Sequence, residues 1–404
     1  MTKESHKQEK DEVQDILNLK IGELKDLDIE ESDSVHEDES FEKSLNSIKN
    51  LSHGKEGLDE LLNSLTVNQY EEKLKKGYSD KPVGRAFHEL ITQIDPADRT
   101  EKYKQEVQNS FSSSHLKIKE LFQKVASGER IHHSNIVRIV ETFMKIFISD
   151  RCILLNFSNY DNSSEDYLYP HVLKVCLLSM NIATALDYSK EQVMDVGVAG
   201  LLADIGMVAI SEEMRVEANT LTKNDIFEIH KHPIVGLHIL ERIKAIPDPV
   251  AYVAYQHHER ILGDGYPKGR GGRLIHNYAK IVAIADVYSA LCSHRVYRQP
   301  QKPYDAMVKI LHMARGEYLD KNFVKTFVEL VSLFPVGSMV QLSNGQKAKV
   351  IQANGVLVDK PLVSIMGKEG TEKVLINLAQ DRSLKIVESL PKKAGKNTAL
   401  MEGF

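Results

Sequence analysis

Six residues able to bind a metal recur at near-regular intervals: His171, Asp204, His232, the pair His257-His258, and Asp286. Successive positions lie 33, 28, 25 and 28 residues apart, about one helical hairpin each. Helices packed side by side can aim one such residue apiece at a shared interior point, the way bundles build metal sites. Asp204 stands in LLADIGMVAI and Asp286 in IVAIADVYSAL, two strongly apolar stretches. An ionised carboxylate buried without a partner costs far more than a core position returns. A shared dication would relieve both carboxylates at once. Imidazole mixed with carboxylate suits Mn, Fe or Zn better than Ca or Mg. His132, His133, His230, His238 and His294 have no such partners in the pattern, and His230, two residues from His232, would point elsewhere on a helix.

A second feature follows the histidine pair. Gln256 to Arg273 reads QHHERILGDGYPKGRGGR, a glycine-rich loop carrying Lys268, Arg270 and Arg273. Glycines allow close backbone approach, while Tyr266 and Pro267 add a stacking face and rigidity. The loop reads as a basic lid beside the metal, suited to a phosphate ligand. Arg295 and Arg298, in SHRVYR after Asp286, form another basic group two to three helical turns on.

Helices must position these residues. From Pro82 to about Val331, apolar residues recur at three-and-four spacing, as in HVLKVCLLSMNIATAL and EQVMDVGVAGLLADIG, which predicts an all-α bundle. After Phe334 the pattern alternates apolar and polar, and Asn344-Gly345 sits where a hairpin turn belongs. The fold class expected is mainly α, a helical bundle followed by a small C-terminal β-barrel-like cap. The boundaries read as an acidic, mostly disordered arm (1–79), an N-terminal helical segment (80–155), the helical core (156–334), a small β-rich domain (335–391) and a flexible tail (392–404).

Charge is uneven along the 404 residues. The net charge is −5, yet residues 1–60 hold 18 acidic against 8 basic residues, so the remainder is mildly basic at +5. That arm is too polar to bury a core of its own, and it could dock a protein partner. The basic excess of the body is too small to argue for a nucleic-acid polymer. The start lacks a secretory signal, and no uninterrupted apolar run reaches the length of a membrane span. Cys152, Cys176 and Cys292 lack metal-type spacing and read as reduced thiols. Together these features predict a cytoplasmic protein.

The motifs HHER, GYP and ADVYSALCSHRVYR, with LLADIG before them, resemble the HD-GYP domain family, helical metal-dependent phosphodiesterases of the bacterial messenger cyclic di-GMP. The resemblance spans roughly Lys117 to Pro391. It implies one metal on Asp204, His232, His257 and His258, and a second on His171, Asp204, Asp286 and the histidine of the His-Asp pair. It also implies iron or manganese as the metal and cyclic di-GMP as the ligand, contacted by Tyr266, Lys268, Arg295 and Arg298. This chain departs from the pattern. Ala203 replaces the histidine of the pair, Met207 replaces the lysine that usually follows, Tyr167 stands where some members have a glutamate, and Ser289 replaces an aspartate. One metal set is then complete and the other weakened, with turnover expected to be weak or absent. The alternative is a non-catalytic effector that binds cyclic di-GMP or a protein.

Overall fold

The computed structural model describes residues 55–75, 81–82, 87, 91, 99–151, 166–216, 222–293, 300–355, 357–365, 374–381 and 383–390. The greater part of the acidic arm, the C-terminal tail, Cys152, Arg295 and Arg298 lie outside them.

Two short helices come first, α1 (Lys55–Leu62) and α2 (Leu65–Lys75). They fall within the arm that the sequence reads as mostly disordered, and here they are helical and packed on the bundle. Leu58, Leu61, Val67 and Tyr70 are buried in the same core as the later helices. Each such burial is worth about 1.5–3 kcal/mol, a contribution toward the entropy lost in ordering the hairpin.

The bundle continues with α3 (Glu101–Ala126), α4 (His133–Ser149), α5 (Leu168–Ala185) and α6 (Lys190–Leu202). After a 3-10 turn at Ile205–Ala209 come α7 (Glu212–Val216), α8 (Lys223–Ile229), α9 (His232–Leu240) and α10 (Asp248–Gln256). Then follow α11 (Asn277–Cys292), α12 (Pro303–Arg315) and α13 (Lys321–Val331). Local chemistry sets many of the starts. Thr100 caps α3, and Ser189-Gln192 and Thr222-Asp225 form capping boxes on α6 and α8. Proline sits in the first turn of α9, α10 and α12, where its missing N–H costs nothing.

Helix α5 is buried on every side from Leu168 to Thr184, and α11 is buried almost as completely. Helices apolar all round belong at the centre of a bundle. They pack against each other and against α6, which places His171, Asp204 and Asp286 within one interior. The window Lys190–Ala209 has the length and composition of a membrane span, with mean hydropathy 1.5, yet 67% of it is buried inside the bundle.

The C-terminal part is one antiparallel sheet ordered β4-β3-β2-β1-β5. Its strands are β1 (Met339–Leu342), β2 (Lys347–Gln352), β3 (Leu362–Ile365), β4 (Leu375–Asn377) and β5 (Ile386–Leu390). Met339 pairs with Lys349 across the β1–β2 hairpin, whose turn holds Asn344 and Gly345, the glycine at φ 83°. Val340, Leu342, Ala348, Val350 and Val363 make a separate small core with Phe334. Among the described residues β4 and β5 are not paired, so the strands form an open sheet rather than a closed barrel.

Candidate metal centre

The site begins with a close approach of two backbones. Asp204 lies at the end of α6, and Gly206 follows it in the 3-10 turn that packs on the start of α9. A Cβ on Gly206 would lie 2.0 Å from the His232 carbonyl oxygen and 2.6 Å from the Gly236 nitrogen. Only glycine lets the turn settle onto α9, and that contact brings Asp204 beside His232. The Nε2 atoms of His232 and His257 stand 3.3 and 3.6 Å from Asp204 Oδ1 and 3.4 Å from each other.

Backbone carbonyls orient both rings. His232 Nδ1 donates to the Ile229 carbonyl at 2.6 Å, and His257 Nδ1 to those of Val253 and Ala254 at 3.1 Å. A carbonyl can only accept, so Nδ1 carries the proton and each Nε2 turns its lone pair inward when neutral. Ligand atoms of Asp204, His232, His257 and His258 all lie within 4.8 Å of one another. On the other side of Asp204, His171 Nε2 is 3.4 Å from Asp204 Oδ2 and 2.9 Å from Asp286 Oδ1. His171, Asp204 and Asp286 make a second compact set. The Oγ of Ser289, buried, lies 3.0 Å from His171 Nδ1 and fixes that ring.

Electrostatics within the cluster favour a cation. Burial raises the Asp204 carboxyl, but hydrogen bonds from His171 and His257 and the nearby His232 outweigh it and hold Asp204 well below the usual range. Burial likewise works against ionised Asp286, and His171 brings it below normal. Burial pushes His232 down to about 4, and burial with the neighbouring His257 and His232 holds His258 low. His257 goes the other way: burial disfavours its cation, but the hydrogen bond and charge of Asp204 prevail and raise it. Imidazoles around an ionised carboxylate, with His257 giving up its proton to the incoming ion, are the donor set of a divalent transition metal. The first set offers four donors and the second three, so the residues fit one metal well and a second less well.

Met207 and Ala203 are both buried and apolar. The Met207 carbonyl accepts from Arg215 Nη1 at 2.8 Å, and Arg215 is in turn ion-paired with buried Asp166 at 2.9 Å. No cationic side chain stands at position 207.

The glycine-rich loop folds back over the histidine pair. A Cβ on Gly265 would meet the His258 carbonyl oxygen at 2.4 Å and the Arg260 nitrogen at 2.6 Å, so this position also demands glycine. Tyr266 N–H donates to the His258 carbonyl at 3.2 Å. The buried Glu259 carboxylate accepts from the backbone N–H groups of Lys268 at 2.9 Å and Arg270 at 2.7 Å. Burial still pushes Glu259 up to about 7. Tyr266 stacks on His258, with ring centroids 4.6 Å apart and planes at 23°. Burial and the two carboxylates keep its phenol protonated. Arg270, which the sequence offers to a phosphate, is instead ion-paired with Glu71 of α2. The side chains of Lys268 and Arg273 are exposed.

Three contributors escaped the sequence reading. Ser289 counted only as a departure, although it lies three residues after Asp286 and so on the same face of α11. His230 was set aside as pointing away, yet its ring stacks on Tyr266 at 3.8 Å and 13°. It stands at the break between α8 and α9, away from the metal donors but against the glycine-rich loop. Glu71 gave no signal at all.

The HD domain family matches residues 158–323, a span holding every residue of both donor sets and the glycine-rich loop. Residues 158–323 thus resemble the HD domain, and the relatives that the chain matches are named as phosphodiesterases of cyclic dinucleotides. The chain is similar to a cyclic di-GMP phosphodiesterase of Pseudomonas aeruginosa, 29% identical over 61% of this chain and 58% of that protein. It is similar also to the cyclic di-GMP phosphodiesterase response regulator RpfG of Xanthomonas campestris, 35% identical over 35% of this chain and 38% of that protein. A 3'3'-cGAMP-specific phosphodiesterase of Vibrio cholerae is 28% identical over 44% of this chain and 41% of that protein. The chain thus spans well under two thirds of the length of these relatives.

Proposed function

We propose that this chain is a cytoplasmic cyclic di-GMP signalling protein that holds a divalent iron or manganese ion on Asp204, His232, His257 and His258, and whose turnover is weak or absent. The observation that carries this is the convergence of those four donors within 4.8 Å, with backbone carbonyls fixing the two histidine tautomers. A bound metal would supply Lewis-acid polarisation of a phosphoryl oxygen and an activated water. His171, Asp204 and Asp286 would hold a second ion more weakly. The protonated Tyr266 hydroxyl would be available to donate a hydrogen bond to the ligand. Lys268 at the rim, with Arg295 and Arg298, would meet ligand phosphates.

The reaction adds water across one P–O3′ bond of the cyclic dinucleotide, leaving a 5′-phosphate and a free 3′-hydroxyl. Its transition state gathers negative charge, and Met207 offers none of the stabilisation a lysine would give there. One such donor is worth about 2.7–4 kcal/mol, or roughly 100- to 1000-fold in rate. Ala203 removes an imidazole from the second metal set as well. These two positions also support the alternative, an effector that binds cyclic di-GMP or a protein without hydrolysing it. In either case the acidic arm would be the surface that meets a protein partner.

The test is anaerobic incubation with Mn(II) or Fe(II) and cyclic di-GMP, with products separated by chromatography and His257→Ala as control. Slow, metal-dependent product from the native chain alone supports the weakened enzyme. No product, with turnover restored by Ala203→His plus Met207→Lys, supports the effector. No binding of cyclic di-GMP by the metal-loaded chain overturns the enzyme and the dinucleotide effector and leaves only the effector that binds a protein.

A further inference from the structure

Tyr266 has imidazoles on both of its faces. His258 lies nearly parallel to it at 4.6 Å and His230 nearly parallel at 3.8 Å. Two rings that close to a third would touch each other if they shared one face. His230 and His258 make no ring contact among the described residues, so they cover opposite faces of Tyr266. His232 meets the same tyrosine edge-on at 6.2 Å and 84°. The tyrosine is therefore enclosed, and its free group is the hydroxyl.

The stack ends at His230. This residue caps α8 at the bend into α9, and its side chain is only partly buried. Its ring nitrogens have no hydrogen-bond partner among the described residues, and Tyr266 is its one ring neighbour there. A half-exposed, flat ring at the end of a rigid three-ring stack, anchored at its other end on a candidate metal ligand, is a platform. Base–aromatic stacking tolerates any base, because every base has a π-face.

We propose that His230 supplies the stacking face for a nucleobase of the bound cyclic dinucleotide, while Tyr266 serves as the spacer that holds His230 at a fixed distance from the metal centre. This rests on the cyclic dinucleotide reading above and adds the residue that carries base contact. The order His258–Tyr266–His230 sets the base two ring thicknesses beyond the histidine pair. The phosphate is then left to face Asp204 and its partners.

Calorimetry on the full chain loaded with Mn(II), titrated with cyclic di-GMP, tests it with two variants and a metal-content assay on each. His230→Ala should weaken binding roughly 5- to 150-fold, the loss of one stacked base. His230→Phe keeps a π-face and should bind within about threefold of the native chain, a range well inside one stacking contact. Metal content should stay at the native value in both. Native-like binding by His230→Ala overturns the proposal, as does an equal loss in His230→Phe. Absence of binding by the native chain overturns the function reading and this proposal together. That outcome differs from the other two, in which the native chain binds.

Discussion

Arg270, in the glycine-rich loop, is ion-paired with Glu71 on the second N-terminal helix, and both side chains are largely buried. The same carboxylate accepts from the Tyr255 hydroxyl at 3.0 Å. Arg270 holds Glu259 through its backbone N–H, so Glu71 is linked through one residue to the carboxylate next to His258. A helix outside the HD domain thus fastens the loop that covers the candidate metal centre.

Glu71→Gln should therefore loosen the loop without emptying the metal centre. Removing one member of a buried pair leaves the other uncompensated, at a cost of about 3–5 kcal/mol, and Arg270 Nε is already buried without a partner. Hydrogen exchange at residues 259–272 should rise and the thermal midpoint fall, while Mn(II) content stays native. Unchanged exchange in the loop would show that the pair does not hold it.

Metal stoichiometry should separate the two donor sets. The native chain is expected to hold one Mn(II) tightly, and His257→Ala to lose it. Ala203→His should bring a second ion to the native scaffold, visible by elemental analysis without any turnover assay. Ser289→Ala removes the hydrogen bond that fixes His171. Outer partners of this kind typically contribute 10- to 100-fold in affinity, and the loss should fall on the second ion only. Equal loss of both ions would contradict the division.

The sequence revealed what depends on residue type within an element and hid what depends on elements meeting. His171, Asp204 and Asp286 stood out because ionisable groups in apolar helices demand a partner. The helices themselves were legible from period and caps, and the hairpin from Asn344-Gly345. His230 stands outside both donor sets, as its spacing from His232 implies, but its stacking on Tyr266 depends on a loop that only the fold brings to it. Glu71 and Arg270 meet only once the N-terminal hairpin docks, and no local pattern encodes that docking. The same hairpin carries four buried apolar residues inside an arm whose average composition is acidic, and only the packed core shows what they bury against.

Acid should weaken that docking. His238 is largely buried, with Nε2 3.2 Å from Ser64 Oγ in the turn between the two N-terminal helices. Burial, with a smaller push from Arg242, lowers it to about 4 from the ordinary 6.5. A depressed histidine contributes stability that is full above its unfolded value and is lost as pH falls toward its folded value. Between about pH 6.5 and 4 the native chain should lose thermal stability, and residues 55–75 should gain hydrogen exchange, more steeply than in His238→Gln. Parallel pH profiles for the two would assign the acid sensitivity elsewhere.

Gly206→Ala should be the most damaging single methyl in the protein. The added carbon meets backbone rather than a side chain that could rotate away, 2.0 Å from the His232 carbonyl oxygen. Overpacking of a tight core costs about 1–3 kcal/mol, and more where nothing can yield, so a loss of about 3 kcal/mol or more is expected. The direction of relief matters more than the size. To make room, the turn must lift from α9, and that separates Asp204 from His232 and His257. Metal affinity should fall with stability, and at low temperature, where the variant is still folded, the affinity loss should persist. Gly272→Ala, at φ 52° and with nothing within 4 Å of the new Cβ, is the control that adds backbone strain without crowding the site. A folded Gly206→Ala chain with native metal affinity would mean that the approach of these two backbones does not set the centre.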